Sequence, residues 1–450
     1  MRTYRMKFFR LILALLLLLS AGCTLPFQSG SPTAAQTTPS VATLTEIAPA
    51  SSSPAPSTSA TPQQVKGPLT LHIWLPPQLD PASGTKEGSL LKQRLEEFKA
   101  RRPGILLDVR IKALDGPGGL LDMLSTASAA APDILPDLVA LPHPMMEAAA
   151  LKGLLHPFDG LSTVLDNSDW YDYALQLARL QKSTFGLPFA GDALILIYRP
   201  SVVGEPPKAL NNNQAIKGPL AFPAGDPQSL FTLLLYQAAG GSVQDEQGRP
   251  SLDPAVLAQV LSFYQNAEIV GDVQQAEHLV PAWLSNYETD DQSWSAFMEG
   301  KANLVVTWAS RYLKDRGNLP KDTAAATLPT LGGSPYTLAT GWVWALAGNQ
   351  IQNQAAAVQL TEFLTEGDFM ANWTAAAGYL PTRTSALSAW SDSPQRLLAS
   401  QVVLSAHPNP PGDVLASLAP ALRQATFQIL NKQGEPQSLA QEAANHLKNP

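Results

Sequence analysis

From Leu69 onward the sequence alternates short apolar runs with amphipathic stretches, and this alternation limits the fold more than any single motif does. LTLHIWL, residues 69 to 75, reads as a strand stopped by Pro76 and Pro77, since proline donates no backbone hydrogen bond. LLKQRLEEFKARRPG follows, with Leu91, Leu95 and Phe98 at helical spacing and Pro103 with Gly104 as the stop. ILLDVRI (105–111) is a second strand, a helix is expected over about 120–130, and PDLVAL carries a third strand from Asp137. Strand, helix, strand in this order predicts an α/β fold with a mainly parallel, helix-covered sheet.

Later segments keep the same grammar. MMEAAALKGLL is a helix capped near Gly153, and TFGLPFAGDALILIYRP breaks at 186–188 before a strand from Ala193 to Tyr198. SLFTLLLYQAAGG and PAVLAQVLSFYQNA are helices, the second with Asp253 as N-cap. TLATGWVWALAGN reads as a strand broken by Gly341. QAAAVQLTEFL opens a long helical region in which Ala357, Leu360 and Leu364 share a face, until Gly378 and Pro381 stop it. No internal repeat is present.

The N-terminus follows different rules. MRTYRMKFFR is basic, LILALLLLL is apolar and SAGC closes with small residues, the pattern of a secretory signal over residues 1–22. The apolar run is short for a membrane-spanning helix. Cys23, the one cysteine, allows no disulfide within the chain, and its setting resembles the lipobox of bacterial lipoproteins, with Ser20 where leucine is favoured and Leu19 one step further away. That resemblance implies lipidation of Cys23 and contact with the bilayer through the lipid. Residues 23–67 are rich in Ser, Thr, Ala and Pro with Glu46 and Lys66 as the only charges, so they are expected to form a disordered tether. Without residues 1–22 the chain has 26 basic against 37 acidic residues, a net charge of −11, which excludes nucleic acid as the expected partner.

FMEGKANLVVTW, 297–308, locates the expected site. Gly300 fits a left-handed helix cap, Leu304, Val305 and Val306 suit a buried strand, and Trp308 then stands at that strand's carboxyl end, where ligands collect in open α/β sheets. Catalytic signatures are missing: there is no HExxH, no GxSxG and no GxxxxGK[ST], and the six histidines are scattered. SLLK at Ser89 to Lys92 lacks the companion motifs of SxxK enzymes, and Asp290 and Asp291 are adjacent rather than opposed. No enzyme activity, metal or cofactor is expected. A secreted glycoside hydrolase is the remaining catalytic alternative, because its two carboxylates can lie far apart in sequence.

Taken together, HIWLPP with LLKQRLEEFKARRPG, PDLVAL with ALKGLLHPFDGL, FGLPFAGDALILIYRP, AAGGSVQDEQGRPSLD, FMEGKANLVVTW, ATGWVWALAGN, AAVQLTEFL and GYLPTR resemble, in order and spacing, the family 1 extracellular solute-binding proteins of ABC importers, the maltose-binding-like group. The resemblance runs from about Leu69 to Arg383. It departs at EPPKALNNNQAIKGPLAFPAGDP, which replaces the proline, threonine and tryptophan element of many members, so no residue role is carried across Ser201 to Pro227.

What the resemblance implies is a two-lobe, type II-like periplasmic-binding-protein fold, with a ligand cleft between lobes joined by a hinge. Lobe one would hold 68–190 plus 338–375, and lobe two 191–337 plus 376–450. The function implied is capture of a small-molecule solute, a carbohydrate first of all, and its delivery to an ABC permease by a monomer anchored outside the membrane. The alternative on the same fold is a ligand-sensing lipoprotein. Within the cleft, Trp308 would stack on a sugar ring, and Trp74, Trp342, Trp283 and Tyr287 are further aromatic candidates. Asp192 would accept sugar hydroxyls or serve as a cap, and His143 would donate or accept a hydrogen bond or sit in solvent. Arg383 would pair with a carboxylate or lie at the surface.

Overall fold

The computed structural model describes residues 68–210, 216–267, 278–315 and 317–448. The expected signal segment 1–22, Cys23 and the tether 23–67 lie outside the described residues. Eleven strands carry the frame, numbered here in chain order: β1 (Leu69–Leu75), β2 (Ile105–Ile111), β3 (Leu138–Pro142), β4 (Arg179–Leu180), β5 (Ser183–Thr184), β6 (Leu187–Tyr198), β7 (Leu220–Ala221), β8 (Leu304–Trp308), β9 (Ala324–Ala326), β10 (Thr337–Leu346) and β11 (Ala406–Pro408). Apart from the small β4–β5 hairpin they form one sheet in the order β2-β1-β3-β10-β6-β8-β7, with β11 on β10 and β9 on β6.

The opening alternation folds as its spacing predicts: β1 pairs parallel with β2 and β3, and the helices Lys86–Arg101 and Leu120–Ala130 connect them. The sheet as a whole is mixed rather than mainly parallel, because β10 runs antiparallel to β3 and β6, and β6 runs antiparallel to β8. β6 explains this departure. Its first half, up to Ala193, pairs with β10, while Leu194 to Tyr198 pair with β8, so one strand serves both halves of the sheet.

Two expected breaks are therefore continuous strand. Pro188 is tolerated inside β6 because it faces Val343 where a register shift between Trp342 and Val343 relaxes the ladder. Gly341 faces Gly191 across the same ladder, and both are glycine for want of room: a Cβ on Gly191 would lie 2.2 Å from the Tyr173 hydroxyl, and one on Gly341 would lie 2.4 Å from the Ala190 carbonyl. The long helical region also divides, into Ile351–Leu364 and Gly367–Ala377, with a left-handed Gly378 after the second.

Side-chain alternation assigns the core. Leu71, Ile73 and Leu75 of β1 point to a mass containing Phe98, Trp344, Leu360 and Trp373, whereas Trp74 points to the opposite face with Leu120, Leu124 and Met146. A third and larger mass surrounds the other half of the sheet and includes Ile195, Leu233, Phe297, Val305, Leu422 and Ala440. The result is a two-lobe α/β fold whose halves share the strands β6 and β10.

Candidate functional site

Where β6 passes from one half of the sheet to the other, the carboxyl end of β3 arrives beside β10 and that of β8 beside β6. Pro142, the last residue of β3, faces Trp342, Trp308, the last residue of β8, faces Leu194, and Thr340 faces Asp192. A cavity of about 450 Å³ opens there, and its wall includes His143, Glu147, Gln228, Trp308, Thr340 and Asn409. The helix Gly412–Leu430 closes one side with Gly412, Leu415, Ala416, Ala419 and Pro420, whose spacing of three and four places them on a single helical face.

Each polar group is held by an identifiable element. The helix His143–Leu151 begins directly after β3, so His143 and Glu147, one turn apart, point the same way. His143 is 4% exposed, and burial pulls its imidazole down to about 4, which leaves the ring neutral. Glu147 is 7% exposed, and burial pushes its carboxyl up to about 7, helped by the charge of Asp413 and opposed by a hydrogen bond from the Gly412 N–H. That N–H donates to Glu147 Oε2 at 3.3 Å, and His143 Nε2 stands 3.8 Å from Glu147 Oε1. Asn409 follows β11 and is fixed by its own N–H, which donates to the Ala339 carbonyl at 3.1 Å. Its buried Oδ1 meets no donor among the described residues.

Trp308 is half-buried in the cavity wall, as its place at the end of β8 leads one to expect. Its setting depends on Asp192. That carboxylate accepts from the Ser310 N–H at 3.0 Å, the Ser310 hydroxyl at 2.5 Å and the Ala193 N–H at 2.9 Å. Asp192 thus caps the turn after Trp308 and ties it to β6; it is 9% exposed, absent from the cavity wall, and pushed up to about 7 by burial despite the Ser310 and Ala193 bonds. Of its two expected roles, the cap is the one present.

The remaining candidates are not among the residues that line this cavity. Trp74, 1% exposed, is core, because β1 is an inner strand and helices cover both its faces. Trp342 is half-buried against the core mass of Phe98 and Trp344. Trp283 and Tyr287 pack on each other, ring centroids 5.2 Å apart, at the short helical turn Ala282–Asn286, outside the cavity wall. Arg383 is buried, not on the surface: it pairs with Asp169 at 3.2 Å and lies over the Trp170 ring at 4.0 Å. His143, by contrast, is enclosed in the cavity wall and not solvated. Asp290 and Asp291 both bind Arg311.

Sequence reasoning missed Glu147, Asn409, Thr340 and the wall helix. Glu147 gave a usable signal, an acid one turn after His143 in an otherwise apolar helix; Asn409, in an irregular stretch, gave none. Part of the departing segment Ser201 to Pro227 does reach the site, since Pro227 lines it together with Gln228. The adjacent Ser229 adopts a left-handed φ of 49°, a conformation unusual for a residue with a side chain. No group of three or more His, Cys, Asp or Glu suited to a metal ion occurs among the described residues. Nor is any described helix long and apolar enough to cross a membrane.

Comparison with known proteins agrees with this geometry. The family model described as bacterial extracellular solute-binding protein matches residues 93–397. A maltotriose-binding protein of Pyrococcus abyssi (strain GE5 / Orsay) is 26% identical over 207 residues, 44% of this chain and 42% of that protein, so the chain spans less than half the length of that relative. Among solved structures, a cyclic alpha-maltosyl-1,6-maltose binding protein from Arthrobacter globiformis is similar with a TM-score of 0.68 at 15% identity, covering 85% of this chain and 100% of that one. A maltose-binding periplasmic protein from Listeria monocytogenes in complex with maltose gives 0.66 at 13% identity over 84% and 97% of the two chains. A cyclo/maltodextrin-binding protein complexed with maltotetraose gives 0.64 at 21% identity over 86% and 98%. These structural likenesses establish the two-lobe fold.

Proposed function

The chain belongs to the bacterial extracellular solute-binding proteins, and from that premise we propose that it captures a mono- or oligosaccharide in the cavity between β3 and β8 and passes it to an ABC permease. One observation carries the choice of solute: the cavity presents the Trp308 ring beside hydrogen-bonding groups, and a pyranose offers CH faces to such a ring and hydroxyls to such groups. The maltotriose named for the Pyrococcus relative supports the same class.

In this reading lobe one is 68–190 plus 338–375, lobe two is 191–337 plus 376–450, and β6 and β10 form the hinge on which they close. The permease reads the closed form. The protein acts by binding and not by catalysis, as a monomer held outside the membrane by a lipid on Cys23. Cys23→Ser is expected to release it into the soluble fraction, and a variant still extracted only by detergent would rule the anchor out.

The reading is tested by thermal unfolding with a panel of mono- and oligosaccharides. A sugar present at a hundred times its dissociation constant stabilises the fold by about 2.7 kcal/mol, a clear rise in melting temperature. If no sugar raises it while an amino acid does, the carbohydrate assignment is wrong.

A further inference from the structure

We propose that the solute carries a protonated amine, making it an amino sugar, with Glu147 as the carboxylate that pairs with the ammonium group and the Trp308 ring beside it. This rests on the carbohydrate reading above and narrows it.

The charge on the wall is one-sided. Glu147 is the one formally charged residue among those that line the cavity, and no lysine or arginine joins it. Two cations close in sequence to wall residues are engaged: Arg311, three residues past Trp308, holds Asp290 and Asp291, and Arg423, three past Pro420, holds Glu288 at 3.2 Å. His143 offers no charge, since burial keeps its ring neutral, and Asp413 adds a second negative charge next to Glu147.

Two acceptors on the wall are also short of donors. Glu147 receives one backbone N–H at 3.3 Å, while the His143 ring at 3.8 Å is beyond hydrogen-bond range, so a carboxylate with about four acceptor positions is largely unused. Asn409 Oδ1 is a second buried acceptor with no donor among the described residues. A buried acceptor without a donor is costly, and a buried charge without a partner more so. An ammonium group brings three donors and the missing positive charge in one small unit. The aromatic ring of Trp308 in the same wall attracts cations as well as sugar CH groups. The same arrangement rejects phosphorylated or carboxylated sugars, whose charge would face Glu147 at short range in a poorly solvated site.

The test is calorimetry on the protein at neutral pH with three sugars that share one ring, namely 2-amino-2-deoxyglucose, its N-acetyl derivative and glucose, and with a linear polyamine. The amino sugar is expected to bind at least about tenfold tighter than the other two sugars, a difference of about 1.4 kcal/mol. Glu147→Gln, which keeps shape and volume, is expected to abolish that ratio. Equal affinity for all three sugars, or a preference that survives Glu147→Gln, overturns the amine assignment and leaves the carbohydrate reading standing. Binding of the polyamine with no sugar binding overturns the carbohydrate reading and the amino sugar with it, and keeps only the pairing of Glu147 with an amine. Failure of every ligand with the folded protein refutes both. The comparison of the three sugars on the unsubstituted protein decides the question even if the variant unfolds.

Discussion

Trp308 is the largest side chain in the cavity wall, and a sugar ring stacked on it would cover roughly 80 Å², a contribution of about 2 kcal/mol. Trp308→Ala should therefore weaken sugar binding about thirtyfold by calorimetry, with a smaller effect on the melting temperature because the indole is only half-buried. A variant that loses stability but keeps affinity would make Trp308 a packing residue. The buried His143 and Glu147 predict opposite pH effects. Glu147 titrates near 7 in the folded chain instead of 4.5, so ionisation costs stability as pH rises through that window, a cost complete above it. Glu147→Gln should match the unsubstituted protein near pH 4 and exceed it by about 2 kcal/mol at pH 8 in urea unfolding. His143 titrates near 4 instead of 6.5, so His143→Gln should gain relative to the unsubstituted protein as pH falls from 6.5 towards 4. At this scale the sequence was readable where position implied environment. Trp308 ends a strand and lines the cavity; Trp74 also stands next to a strand end, yet nothing local to it reveals that the strand is central and covered on both faces.

Elements were readable where period and punctuation agreed. β1, the helix Lys86–Arg101, β2 and the helix Leu120–Ala130 fall at their expected positions, and Asp253 caps its helix by accepting from Ala255 N–H at 2.8 Å and Val256 N–H at 3.3 Å. Asp253→Ala should cost about 1 kcal/mol in chemical unfolding. The expectations failed at the crossing strands, because glycine and proline serve two purposes that look alike in sequence: they break a strand, or they let another backbone or ring approach it. Gly191 and Gly341 do the second. In Gly191→Ala the new methyl would meet the Tyr173 hydroxyl, which itself donates to the Pro381 carbonyl at 2.8 Å, so the ring cannot yield without giving up a buried hydrogen bond. A loss of about 2–3 kcal/mol is expected for this substitution, measured as a lower urea midpoint at unchanged slope. A neutral result would mean that Tyr173 has room to move and that the strand tolerates a break there.

For the whole molecule, the family resemblance implied two lobes, but the contact between Glu147 and Gly412 was invisible, since they are 265 residues apart. Glu147 lies on the helix His143–Leu151, whose Met146 and Ala149 pack with Trp74, while Gly412 starts the helix whose Leu415, Leu418 and Leu422 pack in the larger core mass around the other half of the sheet. The Gly412 N–H is thus a polar link across the site that is independent of any solute. Proline removes it without cost to the helix: Gly412 is the first residue, where a missing N–H leaves no intrahelical bond unmade, and Pro411 before it is already extended at ψ 144°, while the ring Cδ takes the place of the hydrogen and displaces the Glu147 carboxylate. If this link helps hold the unliganded lobes together, Gly412→Pro should raise the radius of gyration of the sugar-free protein in small-angle scattering, while the sugar-saturated form should match the unsubstituted protein because ligand contacts then hold the cleft. The apparent affinity for the sugar should fall, since a larger share of molecules must close on binding. An unchanged radius in both states would show that the sheet strands shared by the lobes set their angle alone, and that Glu147 accepts from Gly412 only to satisfy a buried carboxylate.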